Sequence, residues 1–150
     1  MHRSGPSSGC SELASVYAPP GWMEMSAAQY RRILNREAVS ITKRDRKRGG
    51  VYRVKEALDA LHCAFHRSDG TDPYDGMAMD ANGLVQSSPA NQARCPAVAH
   101  RGEEPIADFE ILSRQTRQAK GSMTGEDYLA HCRAVVVQAQ RLGYLWPELE

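Results

Sequence analysis

Five cations crowd one short stretch of this 150-residue chain: Lys43, Arg44, Arg46, Lys47 and Arg48, broken only by Asp45. Such a run could neutralise phosphates and hold a nucleic acid by its backbone. It suits the last turn of a helix equally well, where cations meet the negative end of the helix dipole. A second constellation pairs Cys63 with His66 and Cys95 with His100. Two Cys and two His are the inventory of a structural zinc site. The first pair shares a helix face, but the second falls on an extended strand, so structural zinc is not expected. Without it, Cys63 is a small core residue and His66 a cation at a helix end. His62 and His131 read as surface or boundary residues. No Gly-x-Ser-x-Gly motif and no Gly-rich phosphate loop occurs, so nucleophilic serine chemistry and a phosphate-cradling loop have no support.

The elements that must position these groups follow from periodicity. Residues 1–25, rich in Ser, Gly and Pro, read as a flexible tail ending at Pro19-Pro20-Gly21, with Trp22 and Met23 able to dock back. Residues 26–150 read as a single domain. Ser26 with Gln29 is a capping-box pattern, and Tyr30, Ile33, Leu34, Ala38 and Ile41 give one apolar helix face that stops at Gly49-Gly50. A second helix is predicted over about 53–66, with Val54, Leu58, Leu61 and Phe65 inward. The turn formers from Asp69 to Gly83 predict irregular loop with at most a short hairpin at 74–79. A strand holding Val98, a turn at 102–105, a returning strand at 109–112 and a helix at about 113–120 come next. Thr124 with Asp127 caps the last helix, whose Tyr128, Leu129, Cys132, Val135, Val136 and Ala139 read as a buried stripe. Tyr144 and Trp146 are expected to pack. The fold class is α+β: mainly helical, with one small β-hairpin followed by a helix.

Bulk composition narrows little. A net charge of +1 names no partner, while 41% hydrophobic and 25% charged residues are ordinary for a globular chain able to bury a core. The four cysteines form no CxxC pair, and the N-terminal stretch lacks the apolar run of a signal peptide. No stretch reaches membrane-spanning length. The expectation is a cytoplasmic protein with reduced thiols and no membrane partner, its oligomeric state open.

The order hairpin then helix, with His100 closing the first strand and "QAKG" on the helix, resembles the HNH (ββα-metal) endonuclease motif over residues 95–136. "DPYDGMAMD" is similar to the segment that precedes the hairpin in some HNH-like proteins, and Lys120, Gly121, Tyr128, Leu129 and Cys132 fall where that family has a Lys-Gly helix end and an aromatic-Leu core pair. The resemblance implies that His100 is the general base and that Asp108, opening the second strand, orients it through its other ring nitrogen. It also implies two metal ligands. Ala99 and Arg117 stand at those places, and neither supplies a ligand atom for Mg²⁺ or Mn²⁺. Asp108 could instead pair with Arg117, while Glu103 and Glu104 in the turn read as solvated. The expected function is nucleic-acid binding, most readily DNA, on an HNH-like frame with hydrolysis reduced or lost and no cofactor required. Expected contacts are Lys43, Arg44, Lys47 and Arg48 at one end, and Arg114, Arg117 and Lys120 near His100. The alternatives are an active endonuclease with Mg²⁺ or Mn²⁺ on atypical ligands, and a protein-interaction scaffold without catalysis.

Overall fold

The computed structural model describes residues 17–86 and 92–144. Helix α1, Ala27–Arg46, starts where the sequence places it. Ser26 Oγ accepts from the Gln29 amide, and the Gln29 side chain accepts from the Ser26 amide, each at 3.1 Å. These two bonds satisfy donors that a helix start otherwise leaves bare. The inward face carries Tyr30, Ile33, Leu34, Ala38 and Ile41, and continues through Thr42 and Asp45. The chain then turns through Gly49, whose φ of 91° excludes other L-residues without strain. The Arg48 and Gly50 amides both donate to the Asp45 carbonyl.

Helix α2, Val54–Arg67, packs on α1. Tyr30, Leu34, Leu61, Phe65 and Phe109 are each 0–1% exposed and form the centre of the core. Burial of each such side chain stabilises by roughly 1.5–3 kcal/mol. Strand β1, Pro96–His100, pairs antiparallel with β2, Phe109–Ser113, in a register that sets His100 opposite Phe109. α2 covers β2. Helix α3, Arg114–Lys120, follows without a break. Ser113 Oγ accepts from the Thr116 amide at 3.1 Å, which does the work of an N-cap. The fold is therefore α+β, mainly helical, with a two-stranded hairpin followed by a helix.

Two expectations need correction. Residues 17–25 are not tail: Met23 is 2% exposed, the Tyr17 hydroxyl donates to Asp59 at 2.7 Å, and Trp22 stacks on Phe65. Trp22 also lies across Gly70, where a Cβ would come within 3.1 Å of its ring. Ser/Gly/Pro content marks the segment as irregular, but it does not count the aromatic anchors inside it. The loop from Asp69 to Gly83 is irregular as expected, with a single bridge, Thr71 to Ala78, in place of a hairpin. Carboxylates order this loop more than strand pairing does. Asp69, Asp72, Asp75 and Asp80 each accept a nearby backbone amide, and Arg94 grips Asp75 together with the Met77 and Ala78 carbonyls.

The described residues group into two compact units, one running to Ala119 and one starting at Lys120. In the second unit, helix α4, Gly125–Arg141, is capped by Thr124 as expected. The second correction is that the stripe on α4 is not buried. None of its residues is, and Leu129 and Val135 are both 53% exposed. Helical spacing says which side chains share a face; it does not supply a partner to cover them. Tyr144 is exposed too, while Trp146 lies outside the described residues.

Candidate functional site

His100 ends β1 on its buried face and is 7% exposed. Its Nε2 donates to Asp45 Oδ2 at 2.7 Å. Its Nδ1 faces Glu104 Oε1 at 3.3 Å. Asp45 is fully buried and also accepts from the Tyr52 hydroxyl. Burial, then the bond to Asp45, raises the Tyr52 phenol well above its usual range, so it stays a neutral donor. On the solvent side Glu104 pairs with Arg48. The imidazole thus stands between two carboxylates of its own chain, with the Phe109 ring 5.4 Å away, centroid to centroid.

This overturns the role expected of Asp108. Its carboxylate lies 3.0 Å from Arg101 Nε and 4.0 Å from Arg67, and it pairs with neither His100 nor Arg117. The residue that holds His100 is Asp45, from 55 positions earlier. Glu104, read as a solvated turn residue, faces the other ring nitrogen. Arg48, read as a phosphate contact, is engaged by Glu104.

The remaining cations sort differently. Lys43, Arg44 and Lys47 are exposed on the end of α1. Arg114 and Arg117 are exposed on α3, whereas Lys120 is 4% exposed and does not continue their row. The Arg117 guanidinium is held below its ordinary value by partial burial and by the charges of Arg44 and Arg114, with Glu37 opposing. Four residues from two helices therefore share one electrostatic neighbourhood. Beside them runs a groove of about 430 Å³. Arg36, Glu37, Arg114 and Arg117 line it together with the apolar residues Leu84, Pro96, Ala97 and Val98, of which Pro96 and Val98 are buried.

The donor set does not fit a divalent metal in the manner of HNH enzymes. Ala99 has no ligand atom, and Arg117 brings a permanent cation to the other ligand position. Among the described residues no three of His, Cys, Asp and Glu gather as a metal cluster. The Cys/His quartet does not gather either: His66 Nε2 bonds the Ala18 carbonyl at 2.7 Å, and His100 bonds Asp45. Among the described residues, no helix is long and apolar enough to cross a membrane.

Asp45 and Tyr52 went unread in the sequence. A signal existed for Asp45, since it falls four residues after Ile41 on the same apolar face and so is the one member of the charged run that must point inward. No comparable signal marks the groove, because α1, the turn at Ala81–Leu84, β1 and α3 each contribute a piece of it. Comparison with family models, with curated proteins and with solved structures finds no match to this chain.

Proposed function

We propose that this chain binds nucleic acid, DNA foremost, through Arg44, Arg114 and Arg117 with Lys43 and Lys47 beside them, on an HNH-like ββα frame that does not hydrolyse phosphodiesters. The carrying observation is that Arg114 and Arg117 line one groove together with Arg36; Arg44 is near enough that, after burial, its charge helps hold the Arg117 guanidinium below its ordinary value. A phosphate set among them relieves that repulsion and accepts several charge-assisted hydrogen bonds. Hydrolysis is disfavoured because His100 is enclosed by Asp45 and Glu104, and because neither metal position offers a ligand.

Fluorescence anisotropy with a labelled oligonucleotide tests this. Arg117→Glu should weaken binding by about tenfold or more, and binding should fall steeply with salt, by a slope reduced by about one in Arg117→Ala. Binding that ignores salt, or that the Arg117 variants leave intact, ends the proposal. A plasmid-nicking assay with Mg²⁺ or Mn²⁺ checks the second half: nicking by the wild type that disappears in His100→Ala would restore an active endonuclease.

A second reading concerns α4 by itself. Tyr128, Cys132, Val135, Ala139 and Leu142 follow the 4-3-4-3 spacing of a helix-pairing seam, and Val135 and Leu142 on it are exposed. Glu126 and Asp127 begin the helix and Arg141 ends it, so a second copy laid antiparallel sets acid against base. That pairing places Val135 against Val135. In a Cys132→Ala background, Val135→Cys should cross-link two chains under mild oxidation, and a monomer at every concentration removes this reading.

A further inference from the structure

The groove beside Arg117 has a composition that phosphate binding alone does not require. Three guanidiniums on its rim face one carboxylate, Glu37, which leaves a local excess of positive charge. Leu84, Pro96, Ala97 and Val98 add apolar groups to the lining, with Pro96 and Val98 buried where the three arginines are exposed. The amide of Gln86 is the neutral polar group at its edge. Gly83 builds one wall: a Cβ there would run into the Cys95 sulfur, so the turn at Ala81–Leu84 approaches β1 as closely as it does because residue 83 has no side chain.

An intact duplex presents to such a surface a convex, charged backbone with its bases stacked inside. It can engage the rim, but it brings nothing apolar to the floor. A flat, weakly polar ring joined to a phosphate matches both parts. The base lies on the apolar floor or against a guanidinium plane, and the adjoining phosphate sits among the arginines. We infer that this groove receives one unstacked nucleobase, so that the chain prefers single-stranded nucleic acid to duplex. The inference rests on the nucleic-acid reading above and goes further, because it assigns the strandedness of the ligand and the floor that recognises it. His100 does not line the groove, so the recognition is independent of the enclosed imidazole.

The test compares one labelled oligonucleotide of about twelve nucleotides with the same sequence in a duplex, by anisotropy at about 50 mM salt. The single strand should bind at least about tenfold more tightly. Ala97→Phe, which fills the floor with a strand-compatible residue, should abolish that preference and leave duplex binding unchanged. Wild-type protein gives a second measurement that needs no variant. A mixture of nucleoside monophosphates should displace the single strand at concentrations where inorganic phosphate does not. Equal affinity for the two forms, full retention of the preference in a folded Ala97→Phe protein, or equal displacement by inorganic phosphate overturns the inference and leaves the arginine surface standing. Failure to bind either form overturns both.

Discussion

Two regions that one motif would merge into a single site differ in how their polar groups are spent. Around His100 the chain has used them on itself. Asp45 accepts from Tyr52 and His100, and Glu104 stands between His100 and Arg48. Around Arg117 the chain has gathered cations against few anions, and burial, then the charges of Arg44 and Arg114 against that of Glu37, hold the guanidinium below its ordinary value. The first arrangement raises stability and closes access. The second leaves its cations open to an incoming anion. Residue type alone does not separate these cases, because a histidine looks catalytic and an arginine looks structural until their partners are known.

The contrast can be broken at several points. The largest effect is expected at Asp45. Asp45→Ala strands the Tyr52 hydroxyl and the His100 ring in the interior and should cost about 3–5 kcal/mol in urea unfolding, with oligonucleotide affinity of the folded fraction unchanged. A cost below about 1 kcal/mol would mean that the enclosed centre is not structural.

Asp72 comes next. It is fully buried and accepts the Ser113, Tyr74 and Asp75 amides. Burial pushes its carboxyl up, but hydrogen bonds from Ser113, Thr116 and Tyr74 outweigh that and hold it below the usual range. A depressed carboxyl contributes stability above its unfolded value, near 3.9, and loses it as pH falls through the lower folded value. Asp72→Asn should therefore flatten the acid limb of the stability profile, and Asp72→Ala should cost about 2–3 kcal/mol at neutral pH.

At Arg117 the two regions should part company most clearly. Arg117→Glu should weaken the proposed nucleic-acid binding, yet leave the thermal midpoint nearly unchanged, because Arg44 and Arg114 gain a partner while Glu37 loses one. A fall in midpoint comparable to that of Asp45→Ala would erase the distinction. The smallest effect belongs to Arg48→Ala, which removes a half-exposed pair with Glu104 and should change stability by about 0–1 kcal/mol.

Local order was well marked in the chain. The capping box at Ser26, the short strand at Val98, the turn, the returning strand and the cap at Thr124 all follow from short-range patterns, and each appears within a residue or two of its expected place. What failed were statements about partners. His100 was given to Asp108, which is close in sequence and belongs to Arg101 instead. Its actual partner comes from a helix that periodicity places correctly but cannot dock. The groove was invisible for the same reason. The α4 stripe erred in the other direction: its pattern is real, and nothing in the pattern says what should lie against it.

The position of Asp45 also bears on the order in which the chain assembles. Tyr52 lies 7 residues from Asp45 and reaches it through a tight loop at Gly50, where a Cβ would sit 2.9 Å from the Asp45 carbonyl oxygen. His100 must return across 55 residues. Closing the longer loop costs about 2 kcal/mol more in chain entropy than closing the shorter one. The Asp45–Tyr52 half therefore forms early and His100 arrives late, so Tyr52→Phe or Gly50→Ala should slow refolding, while loss of the imidazole should chiefly hasten unfolding.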